Sequence, residues 1–79
     1  MPDTFTLNEL RPGEKAKVIR IDREGFERER LLAVGISEGT KAEVLYSSPF
    51  GNPTAYLIRG TVFALRNEDA ENIIVEKLN

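Results

Sequence analysis

Apolar and polar residues alternate along this chain in short runs separated by turns that carry glycine or proline, the period expected of β-strands. Over residues 14–22, Ala16 and Val18 alternate with Glu14, Lys15 and Lys17. The phase then slips, because Val18 and Ile19 are adjacent and Ile21 continues from Ile19. A β-bulge near Val18 and Ile19 restores one buried face and sharpens the curvature. Over residues 41–47, Ala42, Val44 and Tyr46 share one face, with Lys41, Glu43 and Leu45 on the other. Three further runs, 54–59, 61–66 and 73–78, are apolar on both faces (Tyr56-Leu57-Ile58, Val62-Phe63-Ala64-Leu65 and Ile73-Ile74-Val75). That pattern predicts strands covered on two sides, by a closed barrel wall on one and a helix, loop or partner on the other.

The turns are marked clearly. In Leu10-Arg11-Pro12-Gly13 the proline fixes φ and the glycine supplies φ > 0, as the centre of a type II turn requires. Gly25, Gly35, Gly39 and Gly60 follow, and Ser48-Pro49-Phe50-Gly51-Asn52-Pro53 is the densest turn cluster. One helix is predicted over 26–34, with Glu27 and Glu29 in the first turn beside the positive helix N-terminus. Leu31 and Val34 form its core face. Gly35 suits the left-handed position after the helix, and Ile36 packs back on Leu31 in a Schellman arrangement. Residues 67–72 read as a single helical turn with Asn67 as its N-cap. The sum is a mainly β fold: a small five-stranded barrel with one helix after the first strand and a helical turn before the last. Closure removes the edges an open sheet of this size exposes. An SH3-like barrel is favoured over an OB-fold, because the short turns before the fourth and fifth strands leave no room for the OB helix. Residues 1–79 are read as one domain.

Composition narrows the chemistry. The 79 residues are 41% hydrophobic and 30% charged, with neither cysteine nor histidine. Those two zeros exclude disulfides, thiolate and imidazole metal sites, and Cys–His or Ser–His nucleophiles. No nucleophile–base pair stands out, so an enzyme is not expected. The net charge of −2 shows no overall basic excess of the kind that holds a protein on nucleic acid. Acidity gathers late in the chain, at Glu68, Asp69, Glu71 and Glu76. The first three are read as acids of a helix start rather than as metal ligands, since the nitrogen ligands common in iron sites are missing. No cofactor is expected. No apolar run approaches the ~20 residues of a membrane span, and Met-Pro-Asp-Thr-Phe lacks the basic start of a signal peptide. A cytoplasmic location with no direct membrane insertion follows. Tyr46, Tyr56 and Phe63 offer a base-stacking platform or a groove for proline-rich peptide. Neither is favoured over core and barrel-wall packing, which alone accounts for most strand aromatics.

Four blocks, in order along nearly the whole chain, carry a family resemblance. They are Leu7-x-x-Leu10-x-x-Gly13-x-x-Ala16-x-Val18, the stretch from Arg30 to Thr40 (Arg-Leu-Leu-Ala-Val-Gly-Ile-Ser-Glu-Gly-Thr), the loop from Ser48 to Pro53, and Ile58-Arg59-Gly60 with Ala64-Leu65-Arg66 and Asp69-Ala70. The chain resembles the FeoA family. Val34 stands where that family commonly has Leu or Met, and Asn52 where Asp is common; both keep size or turn chemistry. The resemblance implies an SH3-like barrel and a non-enzymatic accessory role beside FeoB, a ferrous iron transporter with a cytoplasmic GTP-binding domain. The same module occurs fused to iron-dependent transcription regulators, but no helix-turn-helix segment is read here.

The expected partner-binding residues are Leu32, Pro49, Phe50, Gly51 and Asn52. Phe50 sits among turn residues with few neighbours to bury it, and flanking prolines make it a rigid aromatic of the kind that anchors interfaces. Leu32 lies about 100° around the helix from Leu31 and is left for an interface. The partner that the resemblance implies is the cytoplasmic side of a FeoB-type membrane transporter, whose assembly or GTP-linked activity the chain is expected to modulate. The alternative is a small nucleic-acid-binding barrel or a regulator-type interaction module. Weak self-association stays open.

Overall fold

The computed structural model describes residues 4–22, 26–33 and 35–78. Six strands form one antiparallel sheet: β1 (Thr4–Thr6), β2 (Lys15–Ile21), β3 (Lys41–Ser47), β4 (Thr54–Ile58), β5 (Thr61–Leu65) and β6 (Ile73–Lys77). Helix α1 (Phe26–Ala33) follows β2, and the short α2 (Asn67–Ala70) precedes β6. The order across the sheet is β1-β6-β2-β3-β4-β5. This corrects the five-stranded closed barrel. The additional strand is three residues of Thr-Phe-Thr paired with β6, and a single central apolar residue offers no period to read. In the strand order β1 and β5 stand at opposite ends and do not pair with one another, so the sheet is not closed.

The bulge in β2 lies where the phase slips. Val18 pairs with Val75 and Arg20 with Ile74, so Ile19 is the extra residue and Ile21 returns to the core. A second irregularity falls in β3. Val44 pairs with Tyr56 but Tyr46 with Ala55, leaving Leu45 as the extra residue. A one-residue slip transfers a side chain to the other face. Tyr46 therefore leaves the face of Ala42 and Val44 and stands 62% exposed.

Leu7, Val18, Leu31, Ile36, Val44, Tyr56, Ile58, Ile73 and Val75 pack into one core against one face of the sheet. Burial pushes the pKa of the Tyr56 hydroxyl up, partly offset by its hydrogen bond with Thr54. Helix α1 closes as expected: the Ile36 N–H donates to the Leu31 carbonyl and the Gly35 N–H to the Leu32 carbonyl, both at 3.0 Å. Val34 and Gly25 lie outside the described residues. The turn after Leu10 also forms, with the Glu14 N–H donating to the Arg11 carbonyl at 3.0 Å and Gly13 at φ +89°.

Two expectations need correcting. β5 is not covered on both faces. Its outer face is open, with Thr61, Val62 and Ala64 exposed, while Phe63 and Leu65 turn to the core. Asn67 is not the cap of α2 but its first residue, and Arg66 holds the cap position in extended conformation.

Candidate functional site

The 48–53 segment joins β3 to β4 and closes on itself before it touches anything else. The Ser48 N–H donates to the Pro53 carbonyl at 3.1 Å, and the Gly51 N–H to the Ser48 carbonyl at 2.8 Å. The second bond defines a four-residue turn with Pro49 and Phe50 at its centre, where proline's fixed φ suits the first central position. Gly51 follows at φ +77°. Phe50 is thus held at the tip and is 96% exposed.

The loop is also tied to α2. The Asn67 N–H donates to Asn52 Oδ1 at 3.1 Å, and Asn67 Nδ2 donates to the Gly51 carbonyl at 3.3 Å. The orphan N–H at the start of α2 thereby finds its acceptor in a residue of the loop, fifteen positions earlier in sequence, instead of in a local cap. Arg30 of α1 forms an ion pair with Asp69 of α2. Loop, α2 and α1 are consequently linked. Ser48 Oγ is buried without a hydrogen-bond partner, a loss of about 1–3 kcal/mol for such a group.

Four of the five sequence-derived residues, Pro49, Phe50, Gly51 and Asn52, fall together in this hairpin. Asn52 serves the loop's own architecture through its side-chain oxygen. Leu32 is 42% exposed, but it sits two residues on from Arg30, about 160° around the helix. It therefore faces away from the ion pair that links α1 to α2, and the structure does not gather it with the loop.

The aromatic platform of Tyr46, Tyr56 and Phe63 is divided: Tyr56 is buried and Phe63 packs on the core, while Tyr46 stands on the outer sheet face beside the loop, a grouping that sequence reading missed. Tyr46, Ala55 and Ala64 occupy one row across β3, β4 and β5, and Leu57 and Val62 occupy another on the same outer face. Tyr46 and Val62 (54% exposed) are the large exposed side chains there. Exposed apolar side chains grouped in this way mark interaction surfaces. Nothing in the alternation of 41–47 signals the bulge that turns Tyr46 outward.

Asp69 is committed to Arg30, and among the described residues no three Asp or Glu side chains converge. Glu14 bridges differently: its carboxylate accepts from the Arg11 N–H and pairs with Lys77 Nζ, both at 2.6 Å. The Lys77 ammonium, then the Arg11 N–H, hold the Glu14 carboxyl below the usual carboxylate range.

The fold and this hairpin define a small, mainly β module of the SH3-like kind. The family model described as the FeoA domain matches residues 5–77, and the chain belongs to the FeoA family. A fusion protein of Fe(2+) transport protein A and Fe(2+) transporter FeoB from Porphyromonas gingivalis is 34% identical over 73 residues. The match takes in 92% of this chain and 9% of the fusion protein's length. The solution structure of a FeoA-like protein from Clostridium acetobutylicum superposes with a TM-score of 0.92 at 35% identity, covering 100% of this chain and 92% of that one. FeoA of Stenotrophomonas maltophilia, a prokaryotic SH3 domain protein solved with zinc, superposes with a TM-score of 0.79 at 27% identity, covering 90% and 88%. Ferrous iron transport is thus the family's setting. Among the described residues no helix is long and apolar enough to cross a membrane.

Proposed function

We propose that this chain is a non-catalytic accessory module of ferrous iron uptake. It docks on the cytoplasmic part of a FeoB-type transporter and alters the transporter's assembly or GTP-linked activity. The observation that carries the docking site is Phe50, 96% exposed at the tip of a hairpin whose base is pinned to α2. An aromatic held in one place loses little conformational freedom on binding, which is the property of an interface anchor. The outer sheet face that carries Tyr46 and Val62 extends the surface beside it. The P. gingivalis relative, in which transport protein A and FeoB are one chain, supports FeoB as the partner.

The test is a binding titration of the purified cytoplasmic part of FeoB with the wild type and with Phe50→Ala. Loss of an interface anchor weakens the complex by about 2 kcal/mol or more, roughly thirtyfold in Kd. The thermal midpoint of the variant stays within about 2 °C of wild type, since an exposed ring contributes little to folding. Unchanged affinity would exclude the loop from the interface.

A further inference from the structure

A different surface lies at the opposite end of β3, away from the hairpin tip. In the β2–β3 register Lys17 stands directly opposite Lys41. Arg59 follows Ile58, the partner of Ala42, as the first residue of the β4–β5 turn, and lines the same clefts as Lys41. Three cations therefore occupy a line of about 10 Å, twice the spacing of neighbouring strands. Like charges directly opposite one another weaken a sheet; Glu76 of β6 stands opposite Lys17 on its other side, but neither Lys17 nor Lys41 makes an ion pair among the described residues.

Arg59 is held in place by unusual means. It adopts φ +53°, a region other residues than glycine seldom enter, at the first position of the two-residue β4–β5 turn. Its Nε–H donates to the Gly35 carbonyl at 2.9 Å. That bond fixes the guanidinium over two adjoining clefts that Lys41 also lines. One, of about 240 Å³, has Leu57 and Leu78 in its walls together with Lys15 and Glu43. The other, of about 260 Å³, is completed by Gly39 and Thr40. Leu78 is 45% exposed, so the first cleft offers apolar surface beside its cations.

We propose that this end of the sheet binds an acidic peptide segment of a partner protein, with carboxylates on Lys17, Lys41 and Arg59 and an aliphatic side chain against Leu57 and Leu78. Charge complementarity favours a carboxylate-bearing segment that also carries apolar residues. A nucleic acid fits less well. The cationic line spans only about two strand spacings, Glu43 stands in the cleft wall, and the chain as a whole carries −2. The surface does not use Phe50 and does not depend on the docking role of the hairpin.

The experiment measures fluorescence anisotropy of a labelled short peptide of alternating Glu and Leu. Its Gln and Leu counterpart and a short single-stranded DNA serve as competing probes. The Glu peptide binds saturably, and binding weakens as salt rises from about 0.05 M to about 0.5 M, because screening shortens the reach of the cations. Lys41→Glu weakens it about tenfold or more through charge reversal at the centre of the line. Its thermal midpoint does not fall, because an anion then lies between Lys17 and Arg59. Lys41→Gln, which removes the charge without reversing it, weakens binding by about threefold. Phe50→Ala leaves peptide affinity unchanged, which separates this surface from the loop. Absence of binding by the Glu peptide, equal binding of the Gln peptide, tighter binding of the DNA, or unaltered affinity in folded Lys41→Glu or Lys41→Gln overturns the assignment.

Discussion

Gly35 joins the end of α1 to the β4–β5 turn, and replacing it with alanine tests that junction quantitatively. Two separate costs arise. Gly35 sits at φ +96°, where an L side chain is strained; such a conformation costs about 1–2 kcal/mol. A Cβ there also meets Arg59 Cδ at 3.2 Å and Nε at 3.5 Å. Arg59 must then yield, stretching the bond from its Nε–H to the Gly35 carbonyl. Weakening an exposed hydrogen bond of this kind adds about 1 kcal/mol. The total is about 2–3 kcal/mol, or a drop of about 10–20 °C in Tm for a domain of this size. Gly39→Ala is the internal control, because φ is +85° and no atom lies within 4 Å of the added Cβ. It carries only the conformational cost. Thermal and urea denaturation of Gly35→Ala, Gly39→Ala, Arg59→Ala and the Gly35→Ala/Arg59→Ala pair complete the cycle. In the Arg59→Ala background Gly35→Ala falls to the cost of Gly39→Ala. If the two glycine variants are equally destabilised in the wild-type background, the Arg59 contact contributes nothing and the reasoning fails.

Two further outcomes follow from the bonds at the ends of the sheet. Asn52→Ala removes the acceptor for the Asn67 N–H and costs about 1 kcal/mol, as loss of a helix cap does. Asn52→Asp retains an acceptor and stays within about 0.5 kcal/mol of wild type; equal stability of both variants in urea denaturation would show that the bond is not made. Glu14 titrates below its ordinary value in the folded protein because of Lys77 and Arg11. A carboxyl depressed on folding stabilises above its unfolded pKa, and that stability is lost as pH falls through the folded pKa. Urea midpoints measured from neutral into acid therefore decline less steeply for Glu14→Gln than for wild type; parallel acid limbs would refute the assignment.

What was legible in the sequence was what short-range chemistry dictates. The end of α1 was readable because Leu31, Gly35 and Ile36 stand at the spacing a Schellman motif requires, and both its hydrogen bonds form. The bulge in β2 was readable because two adjacent β-branched residues broke the alternation. The bulge in β3 left no such trace, since Ala42, Val44 and Tyr46 alternate without fault and only the pairing with β4 shifts Tyr46 outward. Edge or interior position is likewise a property of the sheet. Val62-Phe63-Ala64-Leu65 reads as a doubly covered strand, yet it lies at an end of the order, with one side exposed. The exposure of Phe50 followed from the prolines and glycine around it, which belong to turns. The anchoring of its loop was hidden, because Asn52 and Asn67 meet only when α2 is packed against the hairpin.

The position of β6 bears on the order of events when the chain is made. Ile73 to Lys77 enter the sheet between β1 and β2, so the strand translated after all the others lies inside the sheet rather than at its rim. Until Lys77 has left the ribosome, β1 has no neighbour to pair with and one edge of β2 stays bare. The β3–β4–β5 meander is local and is able to form earlier. The complete sheet therefore awaits the synthesis of β6, and an interruption before Ile73 removes an interior strand.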